Sequence, residues 1–148
     1  MHLFKKISYA GKYHDDNAIP DVVHYICQPS KTPSRMIGGV GIDMSNIAGS
    51  MIAVSKQFGK YSKIRLHHFI VSFDPKVQVD QTTILSIAQN IAFYIGRNYQ
   101  IVYAVHEDTH SLHVHFVFNA VSYIDGTRFR GGMKEYIMVP LSRPLLKK

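Results

Sequence analysis

Histidines are concentrated in one short stretch of this chain. Four of the nine lie within ten residues, at positions 106, 110, 113 and 115. Because strand side chains two residues apart point to the same face, a strand would present His113 and His115 side by side. A hairpin beginning after His106 would set its imidazole next to His113. Three converging imidazoles are typical of a metal ion that keeps coordination positions open for catalysis. We therefore predict a divalent metal site at His106, His113 and His115, with His110 as the alternative third ligand.

The charge of the chain indicates the class of ligand. Seventeen Lys and Arg oppose ten Asp and Glu, which gives a formal net charge of +7 with His neutral. A basic surface suits a polyanion such as nucleic acid, and nine Tyr and eight Phe offer rings for stacking on unpaired bases. A solvated basic face with no ligand is the alternative. An anionic membrane surface is a further possible ligand for such a charge. If the ligand is DNA, we predict contacts from six basic side chains, Lys31, Arg35, Lys63, Arg65, Arg128 and Arg130.

A metal ion on a basic domain favours phosphate chemistry, which needs water or a side chain as the nucleophile. A tyrosine that attacks a phosphodiester forms a phosphotyrosine ester and conserves the bond energy for later rejoining. Tyr25 is a candidate, although composition alone does not distinguish it from the other eight tyrosines.

The elements that must position these residues follow from hydrophobic periodicity and from turn residues. Strands are predicted at 2–9, 36–42, 65–73, 100–106 and 111–121, with a short strand at 127–129 after the Asp125-Gly126 turn. Helices are predicted from Asn17 to just before Pro29, at 45–59, at 79–97 with Asp80 as N-cap, and from 132 until Pro140 and Pro144 end it. This order predicts one α+β domain over residues 1–148. Its antiparallel sheet would have helices packed mainly on one face and the metal site on the central strands.

Two further features bear on location. No apolar run approaches the ~18 residues that span a membrane, so we expect no membrane insertion. Cys27 is the only cysteine, which suits a reducing compartment such as the cytoplasm.

Three stretches resemble one known family, the relaxases of the HUH endonuclease superfamily, and in particular the MobP-like mobilisation nucleases of plasmids and transposons. The stretch VYAVHEDTHSLHVHFVFNAVSYIDGTRF is similar to the metal motif, in which His113 and His115 flank a hydrophobic residue and His106 lies seven positions upstream. The stretch VVHYICQPSKT resembles the N-terminal motif, whose helix carries the nucleophilic tyrosine, here Tyr25. LHHFIVSFDP resembles the middle motif. The resemblance covers residues 20 to 135.

The resemblance implies a palm-like fold and a relaxase that nicks one DNA strand at an origin of transfer. Tyr25 would attack the scissile phosphate and keep the 5′ end as a phosphotyrosine. The three histidines would hold Mn²⁺ or Mg²⁺, with Zn²⁺ or Ni²⁺ as alternatives. His24, Asn119 and one of the two adjacent strand histidines, for which we choose His68, would support the chemistry.

The same resemblance implies partners and a location. We expect accessory mobilisation proteins and a coupling protein, and a bacterial cytoplasmic location with transfer of the protein alongside the DNA. Relaxase domains usually continue further after the last motif, so we expect this domain to be truncated at its C-terminal end.

Three other functions remain open at this point. A single-tyrosine transposase of the HUH superfamily would carry its nucleophile after the metal motif, at Tyr123 or Tyr136. A phosphodiesterase would use water and form no adduct. A relaxase remnant would bind single-stranded DNA without cutting it.

Overall fold

The structure, a computed structural model, describes residues 4–9, 13–33, 36–74, 76, 79–107 and 112–142. Arg35, His110 and Pro144 lie outside these residues. Nine elements follow one another along the described chain: β1 (Phe4–Tyr9), α1 (Ala18–Ile26), β2 (Ile37–Val40), α2 (Ile47–Gln57), β3 (Leu66–Phe73), α3 (Gln81–Ile95), β4 (Ile101–His106), β5 (His113–Asn119) and α4 (Met133–Leu141). The α+β class is confirmed.

The described strands form one antiparallel sheet in the order β1-β3-β5-β4-β2. Strand β5 lies at the centre, between β3 and β4. The predicted hairpin of β4 and β5 is confirmed, with His106 opposite His113 and Ala104 opposite His115. Three of the nine histidines therefore lie on two adjacent central strands.

The arrangement of the helices corrects one expectation, because the described helices flank both faces of the sheet. Helices α1 and α2 share a core with Val102, Ala104 and Val117, whereas α3 and α4 pack against Val114 and Phe116 on the opposite face. All six residues of β4 are buried. The first five, 101–105, form a continuous apolar run, which is typical of a strand covered on both sides and not of a half-exposed one.

Local signals explain where the helices begin. The Asp80 side chain accepts a hydrogen bond from the Thr83 N–H at 2.8 Å and caps α3, as predicted. The Asn46 side chain does the same for α2 through the Gly49 N–H. Helix α3 then buries Ile84, Ile91 and other residues at three- and four-residue spacing.

The C-terminal region differs from expectation in two details. Helix α4 continues through Pro140 to Leu141. Near a helix end a proline removes only one internal hydrogen bond, and the Ser142 N–H closes the last turn on the Met138 carbonyl. The short strand predicted at 127–129 is reduced to a single bridge between Val121 and Arg128. Within the described parts of the chain, no helix combines the length and apolar character needed to cross a bilayer.

Candidate metal centre

The three predicted histidines converge on one point of the sheet. Each of His106, His113 and His115 offers a nitrogen, and these three atoms lie within 4.8 Å of one another. The ring centroids of His106 and His115 are 4.1 Å apart, and each is 5.2 Å from that of His113. His106 and His115 are buried, whereas His113 is half-buried. The cluster could hold a metal ion that is approached from the His113 side.

Burial and the neighbouring charges keep the His115 imidazole of the cluster neutral. Burial above all, together with the positive charges that His106, His68, His113 and Lys31 can carry, lowers the pKa of His115 to about 2. A metal binds the neutral form of histidine. A set of neutral nitrogen donors of this kind suits the first-row divalent ions, so the residues present fit a metal ion.

Hydrogen bonds fix the orientation of the two buried ligand candidates. The Nε2 atom of His106 lies 2.8 Å from the Ile26 carbonyl oxygen. Because a carbonyl only accepts, Nε2 carries the hydrogen and Nδ1 carries the lone pair that can bind a cation. The Nδ1 atom of His115 lies 2.8 Å from Nε2 of His68, which leaves Nε2 of His115 as its ligand nitrogen.

Strand parity predicted that only one of His67 and His68 would reach this face. The structure places His68 beside the triad, 5% exposed, with its ring centroid 5.1 Å from that of His115. His67 lies on the opposite face, where its ring stacks on Phe118 at 5.1 Å. Burial lowers the pKa of His67 to about 4, and burial together with the charge of His106 lowers that of His68 to about 4.

Tyr25 faces the histidine cluster from the last turn of α1. Its ring centroid lies 6.0 Å from that of His115 and 6.3 Å from that of His106, edge-on in both cases. The neighbouring Val22, Val23 and Ile26 are buried in the core beneath the helix, so Tyr25 stands at the rim and is 44% exposed. The bond from His106 to the Ile26 carbonyl ties this helix end to β4.

Two other predicted residues belong to the same surroundings. The Lys31 ammonium lies 5.2 Å from the centroid of the Tyr25 ring, and its charge also acts on His115. His24 is exposed on the final turn of α1, next to Tyr25 in the chain.

The two tyrosines expected for a transposase have different surroundings. Tyr136 packs with Phe118 and Phe129 in the core on the opposite face of the sheet, and its hydroxyl is buried. The Tyr123 hydroxyl donates to the Gly96 carbonyl. Tyr25, in contrast, has ring contacts with His106 and His115 of the histidine triad.

Asn119 corrects a second expectation. Its amide nitrogen donates to the Met51 carbonyl and to the Gln100 side chain, and its oxygen accepts from the Ser55 hydroxyl and the Val121 N–H. These four bonds use the full hydrogen-bonding capacity of the side chain, which is completely buried. Asn119 therefore joins α2 to the sheet and has nothing left to offer a ligand.

Two arginines predicted to contact DNA also bond within the protein. The Arg128 guanidinium donates to the carbonyls of Lys60, Ser62 and Ile64. The Arg65 side chain is 9% exposed and forms an ion pair with Asp16 at 2.7 Å. Both side chains stabilise the connection between α2 and β3.

Lys63 and Arg130, in contrast, are exposed. Lys31, another described member of the set predicted to contact DNA, is half-buried.

One residue of the site was missed by the sequence analysis. The Tyr13 hydroxyl lies 3.0 Å from Nδ1 of His68, so it extends the cluster outwards. Tyr13 precedes α1 in a polar segment without periodicity, and no sequence signal links it to a residue 55 positions away.

Comparisons with known proteins identify relatives of this chain. The family model "Relaxase: MobA/VirD2-like, nuclease domain" matches residues 25–148. The group II intron-interrupted relaxase LtrB of Lactococcus lactis subsp. cremoris (strain MG1363) is 27% identical over 142 residues, covering 78% of this chain and 25% of that protein. A second relaxase of that name, from L. lactis subsp. cremoris, matches to the same extent. The chain thus spans about a quarter of the length of these curated relatives.

No solved structure matches the chain. The family match begins at Tyr25 and includes all three histidines of the cluster. The predicted resemblance to the MobP-like relaxases is confirmed, and the chain belongs to the relaxase family, as a nuclease domain of the MobA/VirD2-like type.

Proposed function

We propose that this domain nicks one strand of DNA at an origin of transfer, with Tyr25 as the nucleophile that attacks the scissile phosphate. The observation that carries the proposal is the position of Tyr25, a half-exposed phenol whose ring lies 6.0 Å and 6.3 Å from two imidazoles of the histidine triad. The proposal extends to conjugative mobilisation, because the relatives are relaxases by name.

The chemistry is a transesterification. The Tyr25 oxygen forms a bond to phosphorus and loses its proton, while the bond from phosphorus to the 3′ oxygen breaks. The leaving oxygen takes the electron pair and gains a proton, so a 3′ hydroxyl is released and the 5′ end stays on the tyrosine. The reverse reaction rejoins the strand.

His106, His113 and His115 would hold the divalent ion, for which we propose Mn²⁺ or Mg²⁺, with Zn²⁺ and Ni²⁺ also suited to imidazole donors. When bound, such an ion supplies positive charge to a non-bridging phosphate oxygen. The Lys31 ammonium, 5.2 Å from the Tyr25 ring centroid, adds charge of the same sign where the phosphate would lie. His24, one residue before the nucleophile, is proposed to support the reaction.

The DNA strand outside the site would be bound by charge and by stacking. The formal net charge of +7 favours a polyanion, and exposed Lys63 and Arg130 are proposed contacts. We further propose a location in the bacterial cytoplasm, with accessory mobilisation proteins and a coupling protein as partners.

A covalent-adduct assay tests the proposal. Single-stranded oligonucleotides tiled across the transfer region of the parent element, labelled at the 3′ end, are incubated with the protein and Mn²⁺. We expect a labelled species that migrates with the protein on a denaturing gel and that does not form when EDTA is present from the start of the reaction. Tyr25→Phe should abolish it, whereas Tyr123→Phe and Tyr136→Phe should retain it.

Each of the other outcomes indicates a different function for this protein. An adduct that survives Tyr25→Phe but not Tyr123→Phe or Tyr136→Phe indicates a transposase-like site. Cleavage without an adduct indicates a phosphodiesterase that uses water. Binding without cleavage at any tiled position indicates a module that binds DNA but does not cut it.

A further inference from the structure

A chain of hydrogen bonds leads away from the histidine triad. Nδ1 of His115 lies 2.8 Å from Nε2 of His68, and Nδ1 of His68 lies 3.0 Å from the Tyr13 hydroxyl oxygen. Both imidazoles are buried, at 4% and 5% exposure. Nδ1 of His115 and both ring nitrogens of His68 therefore face a protein partner and not bulk water.

The direction of this chain decides whether His115 can bind a cation. If the Tyr13 hydroxyl donates to His68, then Nε2–H of neutral His68 donates to Nδ1 of His115. His115 then carries its hydrogen on Nε2, directed at the triad, and cannot bind a metal through that atom. If His115 donates from Nδ1 instead, His68 accepts at Nε2 and donates from Nδ1 to the Tyr13 oxygen. Only this second direction gives Nε2 of His115 a lone pair.

We propose that His68 and Tyr13 are positioning residues that hold His115 in the tautomer and ring orientation required of a metal ligand. The inference rests on the proposed function in one respect, since it takes the triad as the metal site. A metal-bound histidine commonly donates its other ring N–H to a carboxylate, a carbonyl or water. Here the acceptor is a neutral imidazole, which adds no negative charge and leaves the charge of the ion undiminished.

The outer end of the chain is anchored to the fold. The Tyr13 carbonyl accepts a hydrogen bond from the Arg65 N–H at 2.7 Å. Three residues later, the Asp16 carboxylate pairs with the Arg65 guanidinium, and its carbonyl accepts from the Tyr61 hydroxyl at 3.0 Å. Because Arg65 directly precedes β3, which carries His68, the segment with Tyr13 is held in register with that strand.

Tyr13 can accept this bond and still donate one. Burial raises the pKa of Tyr13, and the nearby Tyr25 raises it further. The hydroxyl therefore keeps its hydrogen at neutral pH while its oxygen accepts from His68.

Metal affinity is the first measurement, made by calorimetric titration of Mn²⁺ into the protein without DNA. His68→Leu removes the acceptor and should weaken binding about 10- to 100-fold. His68→Gln keeps an oxygen that can accept from His115 and should recover most of the affinity. Tyr13→Phe should cause a smaller loss. His67→Leu is the matched control, since the neighbouring residue on the same strand faces the opposite side, and it should bind like the wild type.

The second measurement reads the tautomer directly in the unsubstituted protein. Long-range ¹⁵N–¹H spectra of the Zn²⁺-loaded protein should show His115 protonated at Nδ1 and His68 protonated at Nδ1. This result does not depend on whether any variant folds.

The outcomes separate this inference from the proposed function. Wild-type Mn²⁺ affinity in folded His68→Leu, or a His115 that is unprotonated at Nδ1 when zinc is bound, overturns the positioning role and leaves the nuclease proposal intact. Absence of metal binding in the wild type itself overturns both.

Discussion

At the scale of single residues, the site combines a deep pair of imidazoles with a shallow rim. His106 and His115 are buried, while Tyr25 is 44% exposed and Lys31 is half-buried beside it. Burial favours the neutral, metal-binding form of His115. The exposed rim would leave room for the proposed substrate, a phosphate with its attached strand. The Lys31 ammonium at the rim and the metal ion that the triad could hold would then act on the same phosphate.

Lys31 provides a test of this division. Lys31→Met removes one positive charge beside Tyr25, so the single-turnover rate of adduct formation with Mn²⁺ should fall on the order of 10-fold or more. Lys31→Arg keeps the charge and should recover most of the rate. Mn²⁺ affinity should stay the same or tighten, because the Lys31 charge disfavours a second positive charge near His115. A wild-type rate of adduct formation in Lys31→Met would mean that Lys31 does not contribute to the reaction.

At the scale of elements, sequence patterns predicted what depends on local spacing. The hairpin of β4 and β5 joins neighbouring segments of the chain. Strand parity was therefore enough to predict that His106, His113 and His115 lie together. Parity also limited the choice between His67 and His68 to one residue. The Tyr13 contact with His68 spans 55 positions and depends on how a non-periodic segment packs, which no local pattern encodes.

Parity also has a limit that Asn119 illustrates. It placed Asn119 on the same face as His113 and His115, and the structure agrees. Parity does not say which element covers that face at each point along the strand. The apolar run of β4 could be interpreted as a strand covered on both faces only after the neighbouring elements were known. Helix α2 covers the end of β5 that holds Asn119. The half-exposed Tyr25, in the last turn of α1, lies beside the histidine triad instead.

Asn119→Ala tests the structural role that this covering implies. Removing the amide leaves the Gln100 side chain, the Met51 carbonyl and the Ser55 hydroxyl without a shared buried partner. The free energy of unfolding should drop by about 2–4 kcal/mol, measured by urea denaturation. Mn²⁺ affinity should be unchanged, because Asn119 lies four residues from His115, about 13 Å along the strand. Full stability combined with lost nicking would instead return Asn119 to the catalytic role first predicted for it.

At the scale of the whole molecule, net charge and DNA contact are separate matters. The chain carries seven more basic than acidic side chains, but some of the basic side chains form hydrogen bonds and ion pairs within the protein. Arg128 donates to three backbone carbonyls, and Arg65 pairs with Asp16. Composition gives the sum of the charges, whereas only packing shows which of them are directed to solvent.

Arg128 and Arg130 turn this distinction into a measurement, since they lie two residues apart and differ in their partners. Arg130→Gln removes an exposed charge and should leave the free energy of unfolding within about 0.5 kcal/mol of wild type. It should weaken single-stranded DNA binding and reduce the dependence of log K on log salt concentration by about 0.7, the value for one phosphate contact. Arg128→Gln should instead lower the free energy of unfolding by about 1–3 kcal/mol, because its carbonyl partners lose a shared donor.

Both variants are best compared in a Tyr25→Phe background, where binding is not followed by cleavage. Fluorescence anisotropy from low to moderate salt gives the slope for each, and urea denaturation gives the stability. The reverse result, a reduced salt slope for Arg128→Gln at full stability and an unchanged slope for Arg130→Gln, would mean that the Arg128 side chain leaves its carbonyl partners to bind the strand. The DNA path would then run over the connection between α2 and β3, and the internal bonds of Arg128 would describe only the DNA-free protein.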